Sequence, residues 1–196
     1  MSAQQYVRAF IAIELPPPLR RSLWEVERSL QSRPSRSIKW VPEDNLHLTL
    51  KFLGDVPLSL MKNVVTVMEE IAGSTRPLRL GITGLGAFPS QTRPRVLWAG
   101  LGGDIRPLAA LANETDAALV KLGFPRETRP FTPHLTLARV RPEAPAEETR
   151  SISDAMASFP LPTGMEFVAD GMSLMKSVLR PEGASYSRLA SASLRT

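Results

Sequence analysis

Asn45–Leu50 reads NLHLTL, and Pro133–Arg139 reads PHLTLAR. The tetrapeptide HLTL occurs in both, and it holds the only two histidines of the 196-residue chain, His47 and His134. Each copy alternates apolar and polar residues, the mark of a strand with one greasy and one polar face. Leu46, Leu48 and Leu50 are expected on one face of the first strand, with His47, Thr49 and Lys51 on the other. In the second strand Leu135 and Leu137 oppose His134 and Thr136. Along each polar face the His and Thr Cα atoms stand about 6.6 Å apart, so one anion lying over the strand touches both side chains.

The flanks of the two copies follow the same order. RAFIAIEL (Arg8–Leu15) reads as a strand, and Pro16–Pro18 then open a helix whose inward face is Leu19, Leu23, Val26 and Leu30. SRPSRS (Ser32–Ser37) reads as a loop before the first HLTL strand, which runs to Leu53. A helix follows over Leu58–Ala72, with Met61, Val64, Met68 and Ile71 inward, then a glycine-weakened strand over Leu78–Phe88. The pattern restarts with a strand over Arg95–Leu101 and a helix that Asp104 is placed to cap and Gly123 to end. The ETRPFTP loop, the second HLTL strand and a helix with Ile152, Met156 and Phe159 inward come next. EFVADGMSLMKS (Glu166–Ser177) reads as one strand and ASYSRLASASL as a last one. Arg8 precedes His47 by 47 − 8 = 39 residues, and Arg95 precedes His134 by 134 − 95 = 39. At the offset 134 − 47 = 87, Gly84 meets Gly171. Equal spacing and equal element order predict one domain over residues 1–196, built by internal duplication as two similar, interleaved lobes.

Composition narrows the chemistry. The chain has no cysteine, so disulfides, thiolate metal sites and cysteine nucleophiles are excluded. A net charge of +5 favours an anionic partner such as a phosphate or a nucleic acid. No apolar run approaches the roughly 20 residues that span a bilayer. The first residues lack the apolar core and cleavage site of a signal peptide, so a cytoplasmic protein is expected.

Two lobes related by a pseudo-two-fold axis would bring both polar faces into one cleft, holding two imidazoles and two hydroxyls. That set suits phosphodiester hydrolysis. A neutral imidazole takes a proton from the attacking water, and a protonated one gives a proton to the leaving oxygen. An ordinary histidine pKa near 6.5 makes either state accessible at neutral pH. The hydroxyls of Thr49 and Thr136 would hold the non-bridging oxygens. A catalytic zinc needs about three protein ligands, and the HLTL segments offer one histidine each and no carboxylate. Asp44 is the nearest acid, three residues before His47. No G-x-S-x-G elbow supports a serine hydrolase.

With its flanks the pattern resembles the two-histidine phosphoesterase superfamily, whose signature is a pair of H-x-T/S-x motifs. It is most similar there to the RNA 2′,3′-cyclic phosphodiesterases, also called 2′-5′ RNA ligases. RAFIAIELP, WVPEDNLHLTLKFLGDV, FPSQTRPRVLWAGL and RPFTPHLTLARV carry the resemblance, which covers nearly the whole chain. It implies an α+β, bilobal fold with two pseudo-symmetric lobes, each an antiparallel sheet packed by helices, the sheets facing a central cleft. It implies hydrolysis of an RNA 2′,3′-cyclic phosphate end to a 2′-phosphate without a metal or other cofactor. His47 is then the proton donor and His134 the proton acceptor, roles that spacing leaves open. Tyr186 matches a family position near the cleft. Arg129 is a candidate to pair with phosphate, weighed against a solvated loop arginine. Phe131 and Trp40 are candidates to stack on a base, weighed against packing. The substrate is expected to be such an RNA end or a small cyclic nucleotide, with no membrane partner. A cleft built within one chain calls for no more than a monomer. Reverse ligation at the same site and RNA binding without catalysis are the rival readings.

Overall fold

The computed structural model describes residues 5–31, 37–180 and 183–195. Of the loop expected at 32–37, residues 32–36 lie outside these. The elements in chain order are β1 (Tyr6–Glu14), α1 (Pro17–Leu30), β2 (Ile38–Trp40), β3 (His47–Pro57), α2 (Met61–Ser74), β4 (Leu78–Phe88), β5 (Val96–Gly103), α3 (Ile105–Val120), β6 (His134–Val140), α4 (Ala146–Ala157), β7 (Glu166–Ala169), β8 (Gly171–Arg180) and β9 (Gly183–Ser193).

The strands form two antiparallel groups of four, β7-β4-β5-β6 and β3-β1-β8-β9. The groups meet at β3 and β6 through a single residue pair, Leu48 opposite Leu135. These are equivalent leucines of the two HLTL copies, since 135 − 48 = 87. Beyond that point the short strand β2 takes over the edge of β6, pairing Ile38–Trp40 with Val140–Ala138. The two HLTL strands thus touch once and part, which opens the cleft between the lobes.

Strand β4, the fourth in chain order, pairs with β5, and β8 pairs with β1. This explains why Glu166–Ser177, expected as one strand, is two. Strand β7 pairs with β4 in one lobe, and β8 pairs with β1 and β9 in the other. The chain changes lobe at Asp170, whose carbonyl accepts a hydrogen bond from the Leu194 N–H at 2.7 Å.

Helices cover the leucine face. Helix α3 packs on β3 and β4, α4 on β4, and α2 on β8 and β9. Helix α1 starts with proline in its first turn and buries Leu19, Leu23, Val26 and Leu30, as the spacing predicts, and also Glu27. Helix α2 begins later than expected because Leu58–Leu60 form a 3₁₀ turn. In α4 the buried face is Thr149, Ser153 and Met156, with Ile152 and Phe159 only partly buried. Asp104 stands at the head of α3 but does not cap it through its side chain. Its Oδ2 instead accepts from the Arg79 N–H of β4 at 2.8 Å, tying the helix start to the sheet. Gly123, at φ +90°, takes the left-handed turn that lets the Phe124 N–H reach back to the Leu119 carbonyl. No helix among the described residues is long and apolar enough to cross a membrane.

Candidate active site

The site grows from the leucine pair. Leu48 and Leu135 are fully buried, so the residues flanking them in each strand face the cleft. His47 and Thr49 lie on one side of the junction, His134 and Thr136 on the other, all four half-buried.

Both imidazoles are anchored in the same way. His47 Nδ1–H donates to the Asn45 carbonyl at 2.7 Å, and His134 Nδ1–H donates to the Thr132 carbonyl at 2.7 Å. A carbonyl can only accept, so Nδ1 carries the proton in each neutral ring and Nε2 is left for chemistry. Asn45 is itself fixed, its Nδ2 donating to the Ala184 carbonyl of β9 at 2.7 Å. His47 Nε2 lies 3.0 Å from Thr49 Oγ1. No such bond joins His134 to Thr136 among the described residues.

The surroundings differ. His47 is enclosed by Phe10, at 4.7 Å between ring centroids, and by Tyr186, edge-on at 5.2 Å. His134 meets Phe88 edge-on at 5.1 Å, and Phe88 stands 5.1 Å from Trp98. The Trp98 indole lies across Gly86 and Gly100, and a Cβ at Gly86 would come within 2.4 Å of it. Its buried N–H has no hydrogen-bond partner among the described residues.

Burial lowers the pKa of His47 below the ordinary value. The Asn45 hydrogen bond opposes this, the Arg139 charge adds to it, and Glu14 opposes it. Glu14 sits opposite His47 in the β1·β3 register, and its Oε1 accepts from Ser173 Oγ at 2.5 Å and lies 3.4 Å from Arg188 Nε. Burial raises the Tyr186 phenol, while the charges of Arg139 and Arg8 pull it down. Arg139 thus acts on two residues of the opposite lobe.

That placement follows from a bulge in each strand. Against β1, Ile11 pairs with Lys51 and Ala12 with Thr49, so Leu50 is an extra residue. Against β5, Leu97 pairs with Ala138 and Trp98 with Thr136, so Leu137 is the extra one, again 87 residues on. A bulge swaps the faces of the residues after it, in β3 until a second slip at Leu53, between the Ala9–Gly54 and Phe10–Phe52 pairs, swaps them back. Lys51, expected on the polar face, is therefore buried on the helix side. It donates to Asp116 Oδ1 of α3 at 2.5 Å and to the Pro125 carbonyl at 2.7 Å. In exchange Phe52 and Arg139, equivalent by the 87-residue offset, turn into the cleft.

Of the weaker candidates, Tyr186 stands at the site. Trp40 and Phe131 are partly buried and pack against the hydrophobic core. Arg129 is exposed in the loop before β6, where its backbone N–H donates to Glu127 Oε1 at 3.2 Å. Phe10, Glu14, Phe88 and Arg139 were not singled out by reading the sequence. The alternation Arg8, Phe10, Ala12, Glu14 in RAFIAIE signals the first two. The bulge that aims Arg139 leaves no comparable trace.

The family model described as LigT like Phosphoesterase matches residues 13–98 and 103–186, spanning both lobes and both histidines. The chain belongs to the LigT-like phosphoesterase family. Its relatives include proteins named RNA 2′,3′-cyclic phosphodiesterase. That of Thermus thermophilus is 33% identical over 195 residues, covering 96% of this chain and 91% of the relative. That of Methanothermobacter thermautotrophicus is 31% identical over 180 residues, covering 92% and 95%. That of Geobacillus stearothermophilus is 36% identical over 157 residues, and the match spans 49% of its length, about half. Among solved LigT-like structures, TT0787 of Thermus thermophilus superposes with TM-score 0.78 at 32% identity, covering 96% of this chain and 98% of that one. Escherichia coli LigT complexed with 3′-AMP also gives TM-score 0.78, at 26% identity and coverage of 98% and 100%.

Proposed function

We propose that this LigT-like phosphoesterase hydrolyses the 2′,3′-cyclic phosphate end of RNA to a 2′-phosphate. The reading is carried by the Leu48–Leu135 pair, which sets two equivalent His-Thr edges on either side of one junction. It is supported by the names of the relatives and by the 3′-AMP complex of Escherichia coli LigT. His134 Nε2 takes a proton from water as the water oxygen attacks phosphorus. The bond to the 3′ oxygen breaks, and protonated His47 gives its Nε2 proton to that oxygen. Thr49, Thr136 and Arg139 hold the non-bridging oxygens, whose negative charge grows in the transition state. Tyr186, backed by the buried Phe10, walls the terminal nucleoside. We read the chain as one cytoplasmic domain of two interleaved, duplicated lobes, and as a monomer because both motifs come from a single chain.

The test is to incubate the protein with an RNA ending in a 2′,3′-cyclic phosphate, in excess EDTA, and identify the terminus formed. A 2′-phosphate is expected. A 3′-phosphate would reverse the leaving-group assignment, and activity lost to EDTA and restored by zinc would replace the two-histidine mechanism with a metal site. Among the described residues no three His, Cys, Asp or Glu side chains converge into a metal-binding group.

The shift at His47 makes a kinetic prediction. Burial works against the charged form that a proton donor needs. A bound phosphate anion favours it again. The basic limb of kcat/KM, which reports the free enzyme, is therefore expected at lower pH than the basic limb of kcat, which reports the complex. Coincident basic limbs would remove His47 as the donor.

A further inference from the structure

Phe52 is an aromatic ring left 66% exposed on the cleft face. The bulge at Leu50 turns it there, and its ring stands 6.1 Å from Phe10, which in turn lies 4.7 Å from His47. Phe10 and Tyr186 stand 5.0 Å apart and form the first ring of contacts around His47. Phe52 lies beyond them. Along β3 it is five residues from His47, a span of roughly 13–17 Å at Cα with the bulge allowed for. Phe10 is only 3% exposed, so a nucleoside with its phosphate at His47 meets Tyr186, 5.2 Å from that ring, and Phe52 is the next aromatic surface open to a base.

One cation and a second aromatic accompany this ring. Strand alternation puts Tyr6 and Arg8 on the same face of β1 as Phe10. Tyr6 is 56% exposed. Arg8 is exposed, makes no ion pair among the described residues, and acts electrostatically on Tyr186, so it is near the cleft. Asp55 faces Arg8 across the β1·β3 register and is a carboxylate beside this surface. Aromatic rings interleaved with cations on a strand surface are the usual platform for single-stranded nucleic acid, each ring stacking a base and each cation meeting the backbone.

We infer that Phe52, with Arg8 and Tyr6, is a subsite for the nucleotide on the 5′ side of the terminal one, making this an enzyme for oligonucleotide ends rather than cyclic mononucleotides. The inference rests on the cyclic-phosphodiesterase reading and adds a second base to it. A stacked base is worth enough that its loss costs about tenfold in affinity.

The test compares a 2′,3′-cyclic mononucleotide with RNAs of two and four nucleotides carrying the same cyclic end. Wild type is expected to show kcat/KM about tenfold higher on the dinucleotide than on the mononucleotide. Phe52→Ala should collapse that ratio towards one, and Phe52→Trp should keep it. The ratio is read on a Phe52→Ala protein whose urea midpoint matches wild type, and Phe52→Leu, which keeps an apolar side chain, replaces it if the midpoint falls. An unchanged ratio in Phe52→Ala overturns the subsite, as does a wild type that turns over all lengths equally. Equal losses on mononucleotide and dinucleotide assign Phe52 to the terminal base and overturn it too. Fluorescence anisotropy with 2′-phosphate-ended RNAs reads the same surface without turnover. Phe52-dependent, length-dependent binding without hydrolysis would keep the subsite and sink the activity reading.

Discussion

His134→Ala and His47→Ala are each expected to lower kcat on a 2′,3′-cyclic RNA end by about 10²–10⁴-fold, the range for losing a positioned acid or base. RNA affinity should largely survive, because both rings stand at the junction while other cleft residues hold the nucleosides. The two losses separate when the leaving group changes. A nitrophenyl phosphodiester expels an anion that needs no proton, so His47→Ala should recover much of its deficit on that substrate. His134→Ala should not, because water still has to lose a proton to something. The shared anchoring makes this comparison clean: in both copies Nδ1 is tied to the carbonyl two residues upstream, which leaves Nε2 as the nitrogen to exchange a proton in each. Full activity in either variant on the RNA end would sink the two-histidine mechanism. Recovery of His134→Ala rather than His47→Ala would exchange the two roles.

The HLTL segments were legible because alternation and burial agree. Leu48 and Leu135 are fully buried and His47, Thr49, His134 and Thr136 face away from them, as period two demands. Legibility ends one residue later, at Lys51. Its charge and its odd-numbered position both argued for the polar face, yet an extra residue in the strand outweighs both. A bulge depends on how two strands seat against a third element, and nothing local in LKF or LAR encodes that. The buried lysine survives because Asp116 and the Pro125 carbonyl receive its ammonium. Arg139 escaped notice for the same reason, although it is the cation that reaches across to His47 and Tyr186. Asp170 escaped differently. Asp170-Gly171 is a turn-favouring pair that marks the break, but the change of lobe it allows is decided by pairing partners far away in sequence.

Glu27 supplies the second large effect, on stability rather than on activity. It lies on the inward face of α1, one turn from Leu23, and is fully buried. Neither carboxyl oxygen has a hydrogen-bond partner among the described residues. Burial pushes its pKa from 4.5 up to about 9, so the folded protein keeps Glu27 protonated at neutral pH. The unfolded chain releases that proton above pH 4.5. Between pH 4.5 and about 9 the folded state therefore holds the extra proton, and stability falls as pH rises through that window. The slope is about 1.4 kcal/mol per pH unit, which reaches about 3 kcal/mol by pH 7. Glu27→Gln removes the titration while keeping the shape, and Glu27→Met removes the polar group as well. Urea unfolding at pH 5, 7 and 8.5 should show wild type losing stability relative to both variants as pH rises. Glu27→Met should be the more stable of the two variants at every pH, since an apolar side chain leaves no buried polar atom without a partner. Parallel pH profiles for wild type and Glu27→Gln would mean that the carboxyl is charged in the folded protein and holds a cation.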